Sequence, residues 1–293
     1  MKQPPAFRLS LAKSRVALWR FHSLPYAVET FAGCQPGTVL SRPFAGGTLF
    51  VDVGRTSTEQ LIYLEGERFV SEWALLAERL NAGMKVVDVG ANLGYYSLLF
   101  ARAVGLSGSI ESFEPVPENL ALLRRTLEAS AVPQVKVHEM ALGAASGSVR
   151  IAAEINGHIG DEEPHKVRIE RLDAVLASRE RRIDWIKVDV DGYEGHVLEG
   201  AEAILESDRP NLFLELHPAL VPPQHRVDLL LDSVGRRYPE IELWAPKRPE
   251  GGLAKVAERY GLARPFRRLS LGELATRREP FWAIARRPEE FVR

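Results

Sequence analysis

The sequence predicts an α/β protein of Rossmann-like architecture, in which helices cover both faces of a mainly parallel sheet. From Met84 onward, short apolar segments alternate with longer segments that have helical spacing. The first apolar segment, Val86–Val89, is continuous and ends at a glycine, as expected for a strand that is buried on both faces. Alternation of this kind is typical of parallel strands that are joined by right-handed crossovers.

The strands are predicted from short apolar runs that are bounded by turn residues. In chain order they are Thr48–Val53, Val86–Val89, Ser109–Phe113, Val135–Glu139, Ile183–Val188, Leu212–Leu216, Ile241–Trp244 and Phe281–Ala285. Two further segments, Ser148–Ala152 and Val167–Arg171, are predicted to form an inserted hairpin, with a polar loop from Asn156 to His165 between them.

The helices are predicted from apolar spacing and from residues that favour helix ends. Ser71 can cap a helix that ends near Gly83. Pro117 suits the first turn of a helix over Pro117–Leu127, because its missing amide hydrogen would have no partner there. Further helices are predicted over Tyr95–Ala103, Glu194–Leu205 and Gln224–Arg237.

Residues 1–80 differ in character from the rest of the chain. Basic residues are scattered among apolar ones near the start, and glycines and prolines then interrupt the segment at residues 33–47. We therefore predict an N-terminal extension or lid over residues 1–80, with short strands and a helix, and one α/β domain over residues 81–293.

The composition excludes several classes of protein. Hydrophobic residues make up 45% and charged residues 26%, as in chains that bury a sizeable core. The net charge of -1 offers no global field to nucleic acid or to an anionic membrane. A single cysteine, Cys34, rules out an intrachain disulfide framework. The start of the chain shows neither a signal peptide nor a membrane span, so the cytoplasm is the expected location.

The most informative segment is the glycine-containing turn after Val86–Val89. Gly90 and Gly94 let the backbone turn tightly and approach a ligand, at the sheet edge where such folds bind ligands. A dinucleotide site needs G-x-G-x-x-G, but Asn92 replaces the second glycine and the third is absent. The carboxylate of Asp88 would repel a pyrophosphate, yet it suits the α-ammonium group of a methionine moiety, which it could contact directly or through water. The turn therefore favours S-adenosylmethionine.

A second acidic residue, Glu114, follows the predicted strand Ser109–Phe113. A carboxylate at this position can accept hydrogen bonds from the two ribose hydroxyls of a nucleoside. The adenine is expected beyond the third strand, where the small and apolar residues from Met140 to Gly143 could flank a planar base. Helix capping or solvated turns are the alternative interpretation of Asp88 and Glu114.

Five motifs, in order along the chain, resemble those of the FkbM-type methyltransferases. They are GANLGYYS at 90–97, FEPVPEN at 113–119, RLD at 171–173, KVDVDGYE at 187–194 and LELH at 214–217. The resemblance implies O-methylation with S-adenosylmethionine, on acceptors that include sugars and polyketide-type natural products. It also implies a class I methyltransferase fold with a seven-stranded sheet in the domain 81–293. The family often has Glu where this chain has Asp191.

The turn, the second acid and the resemblance together define a predicted cofactor site. Its residues are Asp88, Gly90, Asn92, Gly94, Tyr95, Glu114, Pro115, Asn119, Ala141, Leu142 and Asp189.

The chemistry is expected at the ends of the strands over 183–188 and 212–216. An alcohol acceptor must lose its proton to a base while its oxygen is held in line with the methyl group. Asp189, Glu215 and His217 are the predicted catalytic residues, and His217 is the natural neutral base near pH 7. The substrate is expected to contact Tyr96, Asp191 and Glu194, together with the loop 156–164.

Several alternatives stay open at this level. The same carboxylates and imidazole could instead bind a divalent cation such as Mg²⁺, but their spacing is not diagnostic and no metal ligand is predicted. A nicotinamide-dependent oxidoreductase and a non-catalytic cofactor-binding subunit are the competing functions. The expected partner is a small-molecule or sugar hydroxyl acceptor rather than nucleic acid or a membrane. The oligomeric state is open, with a homodimer among the alternatives.

Overall fold

A mainly parallel sheet lies at the centre of the protein. The computed structural model describes residues 30–66, 71–151, 165–221, 226–246, 266–274 and 277–287. The strands of these ranges are β1 (Val39–Phe44), β2 (Gly47–Asp52), β3 (Lys85–Val89), β4 (Ser109–Phe113), β5 (Val135–His138), β6 (Ala141–Leu142), β7 (Gly147–Ile151), β8 (His165–Glu170), β9 (Trp185–Val188), β10 (Asn211–Leu216), β11 (Glu240–Pro246), β12 (Phe266–Arg268) and β13 (Phe281–Arg286).

The helices connect these strands and cover the sheet. They are α1 (Ser57–Glu65), α2 (Tyr95–Val104), α3 (Pro117–Ser130), α4 (Leu172–Val175), α5 (Glu194–Glu199), α6 (Glu202–Ser207), α7 (Val227–Gly235) and α8 (Leu271–Leu274). Two short 3₁₀ helices, Ser71–Leu75 and Ala77–Arg79, precede β3. Within the described ranges, none of the helices is long and apolar enough to cross a membrane.

The sheet confirms the predicted fold class. Its order is β12-β11-β13-β10-β9-β3-β4-β5, with parallel pairing from β10 to β5 and antiparallel pairing from β10 to β12. Eight strands of the described residues take part, because the short edge strand β12 adds to the predicted seven. The chain moves outward from β3 to β5 and then returns to β9 on the other side of β3. This reversal of direction is the topological switch point at which ligands bind in open α/β sheets.

Buried side chains on both faces of β3 explain why it lies at the centre. All five of its residues are buried. Val86 packs in one apolar cluster with Phe100 of α2, whereas Val87 packs in a second cluster with Val197 of α5. Successive side chains of a strand point to opposite faces, so a continuous apolar run requires a helix layer on each face.

The N-terminal part, by which we mean the described residues 30–66 and 71–80, packs against the sheet through α3. β1 and β2 form an antiparallel hairpin, and the amide of Phe50 in β2 donates to Oγ1 of Thr126 at 3.2 Å. Leu49 and Val51 are fully buried, in the same apolar cluster as Leu123 of α3. The division of the chain at residue 80 stays a prediction.

Several elements differ from the sequence prediction. β1 and α1 were not predicted, although Thr56 and Glu59 form a capping box that marks the start of α1 in the sequence. The helix expected over 71–80 is two 3₁₀ helices, and the one over 194–205 is interrupted at Gly200, where a Cβ would lie 2.0 Å from the Gly143 carbonyl oxygen. The hairpin of β7 and β8 is confirmed, whereas the loop 156–164 lies outside the described residues.

Candidate active site

The turn between β3 and α2 lies at the switch point of the sheet. The amides of Gly90 and Ala91 donate to the carbonyl oxygen of Phe113, at 3.0 and 2.9 Å. Gly90 has a φ of +76°, and a Cβ on this residue would lie 2.0 Å from the carbonyl oxygen of Asp189. Gly94, the residue before α2, also has a positive φ, +91°. Glycine at position 90 therefore lets the ends of β3 and β9 approach each other closely.

Asp88, which we expected to contact a methionine ammonium group, is buried inside the protein. Oγ of Ser97 donates to its Oδ2 at 2.7 Å, and its Oδ1 lies 3.3 Å from Nζ of Lys187. The exposed fraction of Asp88 is 0%. The carboxylate of Asp88 faces the ammonium group of Lys187 on β9 and is not exposed. A direct contact between Asp88 and a ligand does not agree with this burial. Asp88 contacts Ser97 and Lys187 in this structure, and a contact with the methionine ammonium group through water stays a prediction.

Lys187 connects Asp88 to the glycine turn. It lies opposite Asp88 in the parallel pairing of β3 and β9, and its Nζ donates to the carbonyl oxygen of Gly90 at 2.8 Å. The same Nζ lies 5.0 Å from the centre of the Tyr96 ring. Burial by itself lowers the pKa of Lys187, but Asp88 and two further carboxylates outweigh this effect and raise it. The lysine therefore remains charged and holds the turn in place.

Glu114 follows β4, beside the same turn. Its Oε2 accepts from the amide of Asn92 at 2.8 Å, and its Oε1 accepts from the amide of Val116 at 2.9 Å and from Nδ2 of Asn119 at 3.3 Å. Burial raises the pKa of Glu114 to about 7 against these hydrogen bonds. Each carboxylate oxygen can accept two hydrogen bonds, and the described residues donate one to Oε2. The carboxylate thus retains an acceptor site for a ribose hydroxyl.

The remaining predicted cofactor residues surround these groups. Tyr95 and Asn119 are buried, and Pro115 is half-buried. Ala141 and Leu142 form β6, which pairs with β8, and both side chains are buried. Contacts of these residues with a cofactor stay predictions.

Three carboxylates surround His217 at the ends of β9 and β10. Nε2 of His217 lies 3.5 Å from Oδ1 of Asp191, 3.5 Å from Oε1 of Glu215 and 3.9 Å from Oδ1 of Asp189. Nε1 of Trp282 in β13 donates to Glu215 at 3.1 Å. The structure therefore brings the three predicted catalytic residues together with Asp191, and we call these four residues the acidic cluster.

The carboxylates of the acidic cluster determine whether the imidazole of His217 is charged. Burial by itself lowers the pKa of His217, but its contact with Glu215 and the charges of Asp189 and Asp191 raise it to about 9. His217 is therefore a cation at pH 7, in contrast to the neutral base that the sequence suggested. Burial and the charge of Glu215 raise the pKa of Asp189 to about 6. Asp189 is mostly ionised at pH 7, and a pKa near the operating pH is the one that suits a general base.

Three residues of the acidic cluster lie close enough together to contact one metal ion. One donor atom from each of Asp189, Glu215 and His217 lies within 4.8 Å of the others. A metal-binding imidazole must be neutral, whereas the carboxylates around His217 favour its protonated form. We therefore assign no metal ligand from this geometry.

Two of the three residues predicted to contact the acceptor are buried. Tyr96 is 1% exposed, and its hydroxyl donates to Oε1 of Glu72 at 2.8 Å. Glu194 is 0% exposed, and its Oε1 accepts from the amide of Gly192 at 3.0 Å, which stabilises the turn before α5. Neither position agrees with direct contact to an acceptor. Asp191, the third, is half-buried at the acidic cluster.

Glu72 is a buried acid that the sequence analysis missed. It lies on the first 3₁₀ helix and is 7% exposed. Burial, and then the charge of Glu215, raises the pKa of Glu72 to about 8. The N-terminal part thus adds a carboxyl group beside the acidic cluster. A lone glutamate has no local sequence signal for such a position.

We expect Glu72→Gln to make the protein more stable at pH 8 and to change its stability little at pH 5. The pKa of Glu72 is raised from 4.5 to about 8, so the neutral carboxyl stabilises the fold below pH 4.5 and this contribution is lost as the pH rises through 8. Glutamine keeps the neutral shape at every pH. Each pKa unit corresponds to about 1.4 kcal/mol, so the gain at pH 8 should exceed about 1 kcal/mol.

Urea unfolding of both proteins at the two pH values measures this difference. Glu78→Gln, which changes an exposed glutamate in the second 3₁₀ helix, is the matched control. An equal change at pH 5 and pH 8 would contradict the protonated state that we assign to Glu72.

The fold and these side chains define a class of protein, an α/β protein with acidic residues at adjacent strand ends around a topological switch point. A model described as the methyltransferase FkbM domain matches residues 88–238 of the 293. The chain belongs to the FkbM methyltransferase family, and the resemblance of the five motifs is confirmed. The cofactor of this family is S-adenosylmethionine, and the nicotinamide-dependent alternative has no support from the match.

Similarity to curated relatives is partial. The chain is 27% identical to "Methyltransferase 1" of Beauveria bassiana, over 40% of this chain and 58% of that protein. It is 45% identical over 49 residues to a protein-L-isoaspartate O-methyltransferase of Methanothrix thermoacetophila, which is 17% of this chain and 23% of that protein. The chain therefore spans less than two thirds of the length of each relative.

Solved structures with a similar fold are distant in sequence. Methyltransferase FkbM from Methylobacillus flagellatus is 16% identical, with a TM-score of 0.44 over 78% of this chain and 54% of that chain. A SAM-dependent O-methyltransferase from Thermotoga maritima is 14% identical, with a TM-score of 0.43 over 87% of this chain and 80% of that chain. Because both scores are low, the family assignment depends on the family model.

Proposed function

We propose that the protein transfers the methyl group of S-adenosylmethionine to a hydroxyl group of a sugar or natural-product acceptor. The observation that carries this proposal is the acidic cluster next to the glycine turn, at the ends of β9 and β10. The near-zero net charge supports a small-molecule acceptor over nucleic acid or a membrane surface, and we propose that the protein acts in the cytoplasm.

The charges around the turn suit the proposed cofactor. In the acidic cluster Asp189 and Glu215 face one imidazolium, and Asp191 is partly protonated at pH 7 because burial raises its pKa to about 7. Lys187 is engaged by Asp88 and the turn. This excess of negative charge favours the sulfonium of S-adenosylmethionine, a positive group that S-adenosylhomocysteine lacks. Glu114, on the other side of the turn, offers an acceptor to the ribose. When bound, S-adenosylmethionine would supply an electrophilic methyl group.

The residues of the acidic cluster have different roles in removing the proton of the acceptor hydroxyl. Asp189 and Glu215 can accept the proton of the acceptor hydroxyl, because both are half-buried and lie at the edge of the site. Burial raises the pKa of Asp189, and the imidazolium of His217 opposes this rise by favouring the ionised carboxylate. Lys187 adds to this effect, since its Nζ lies 3.5 Å from Oδ2 of Asp189.

We expect Asp189→Asn to lower turnover by about 10²–10⁴-fold, the usual contribution of a general base, with little change in the affinity for S-adenosylhomocysteine. The amide keeps the shape of the side chain and cannot accept a proton. Initial rates and calorimetry measure the two quantities. Asp232→Asn, at an exposed position on α7, is the control. Unchanged turnover would remove Asp189 from the mechanism.

Calorimetry with S-adenosylhomocysteine and with NAD tests the cofactor. We expect heat with the first ligand and none with the second. The reverse result, or no heat with S-adenosylhomocysteine, would contradict the proposal.

Transfer of labelled methyl groups from S-adenosylmethionine tests the reaction. The acceptor panel contains sugars and glycosides, small polyols, an isoaspartyl peptide and RNA. The peptide is included because the chain resembles a protein-L-isoaspartate O-methyltransferase over 49 residues. Mild base releases methanol from esters and leaves ethers intact. Base-stable label in a sugar or small molecule, unaffected by EDTA, supports the proposal. Label only in peptide or RNA contradicts it, and binding without transfer to the panel favours a non-catalytic subunit.

A further inference from the structure

Arg55 connects the N-terminal part of the chain to Glu114. It lies just before α1, and its Nη1 donates to Oδ1 of Asn119 at 3.0 Å. Nη1 also lies 3.1 Å from Oε1 of Glu59, in an ion pair whose side chains are 10% and 0% exposed. Asn119 in turn donates from Nδ2 to Oε1 of Glu114 at 3.3 Å. A chain of three side chains therefore leads from α1 to the predicted ribose acid.

The guanidinium determines which end of the Asn119 amide faces Glu114. The two ends of an asparagine amide differ in chemistry but hardly in shape, so hydrogen bonds decide between them. A guanidinium can only donate, and therefore selects the amide oxygen. The amide nitrogen is then left for Glu114, whose carboxylate, in its ionised form, can only accept hydrogen bonds.

Glu59 keeps Arg55 in this position. Its Oε2 accepts from the amide of Thr56, and Oγ1 of Thr56 accepts from the amide of Glu59, which closes a capping box at the start of α1. The carboxylate is thus part of the helix end and has little freedom to move. An arginine next to such a fixed acid is itself well placed to orient Asn119.

We propose that Arg55 is a positioning residue for ribose recognition, which acts through Asn119 on the orientation of the Glu114 carboxylate. The inference rests on the proposed function, since it needs a nucleoside cofactor at this site. Arg55 precedes the residues 88–238 that the family model matches. The N-terminal part would then contribute to cofactor selectivity, although its own residues need not touch the cofactor.

The test is Arg55→Met, measured by calorimetry with two ligands. One is S-adenosylhomocysteine, and the other is its analogue without the 2′ and 3′ hydroxyls. We expect about tenfold weaker binding of the first ligand, in line with the loss of an ordered charge-assisted hydrogen bond, and an unchanged affinity for the second. Arg55→Lys, which keeps the charge and one donor to Asn119, should recover part of the loss.

Two further variants separate a positioning role from a loss of structure. Arg124→Met removes an exposed ion pair with Glu139 from the same helix as Asn119 and should leave both affinities unchanged. Asn119→Asp retains the acceptor for Arg55 but turns a carboxylate oxygen towards Glu114. We expect it to reproduce the selective loss, even where Arg55→Met does not fold.

The outcomes distinguish this inference from the function on which it rests. Equal losses for both ligands would show that Arg55 only supports the fold, and would overturn the inference. Unchanged binding of S-adenosylhomocysteine by Arg55→Met would do the same while the proposed function stands. If the wild-type protein binds neither ligand, both the proposed function and the inference are wrong.

Discussion

Lys187→Met is expected to lower the free energy of unfolding by about 3–5 kcal/mol, as found when one partner of a buried ion pair is removed. Lys187 is 1% exposed, and Asp88 is 0% exposed with its Oδ1 only 3.3 Å from the lysine Nζ. Without the cation, Asp88 is left as an uncompensated buried charge. The Gly90 carbonyl also loses its donor, so cofactor binding should weaken together with stability.

Urea unfolding at pH 7 measures this loss, and the double variant Lys187→Met with Asp88→Asn tests its cause. Removing both charges should recover a large part of the stability, because no unpaired charge then remains between β3 and β9. Lys136→Met, at an exposed position on β5 of the same sheet, should change stability by less than about 0.5 kcal/mol. A double variant no more stable than Lys187→Met would show that the ion pair is not the source of the effect.

Gly90→Ala is expected to abolish binding of S-adenosylhomocysteine in calorimetry. The new Cβ would lie 2.0 Å from the Asp189 carbonyl oxygen, and the φ of +76° costs an L-residue roughly 1–2 kcal/mol. The turn must therefore move away from β9, which separates Gly90 from Nζ of Lys187 and displaces the Asn92 amide from Glu114. Both ends of the predicted cofactor site change at once.

Gly147→Ala is the matched control for this substitution. Gly147 begins β7, and a Cβ there would meet no atom within 4 Å. We expect wild-type affinity from this variant. Wild-type affinity of Gly90→Ala would mean that the close approach of β3 and β9 is not required for binding, and it would remove the turn from the site.

The main series of strands and helices could be predicted from the sequence because its signals are local. The strand predicted over 109–113 is observed at those residues, and the glycine turn and the acid after β4 lie where the pattern indicated. Elements with weak local signals were missed. β1 contains Pro43, and the three residues of β12 are too few to show a period. α1 was marked only by its capping box.

The sequence predicted where the candidate site lies in the fold, but it predicted less well which side chains contact one another there. The acids at the ends of β9 and β10 were expected to meet at one edge, and Asp189, Glu215 and His217 do so. The charge of His217 was not predicted, because a pKa depends on which carboxylates surround the ring. Glu72 was missed for the same reason, since its environment is formed by residues distant in sequence.

The sequence by itself determined the fold class, the glycine turn and the family, because apolar periodicity, turn residues and motif spacing are properties of short segments. Only the tertiary structure decided which charges face one another. It turned Asp88 into the core towards Lys187, and it brought Arg55 and Glu72 from the N-terminal part to the site. The direction of a side chain and the polarity around it depend on packing between distant segments, and these two quantities decide what an acidic residue can do.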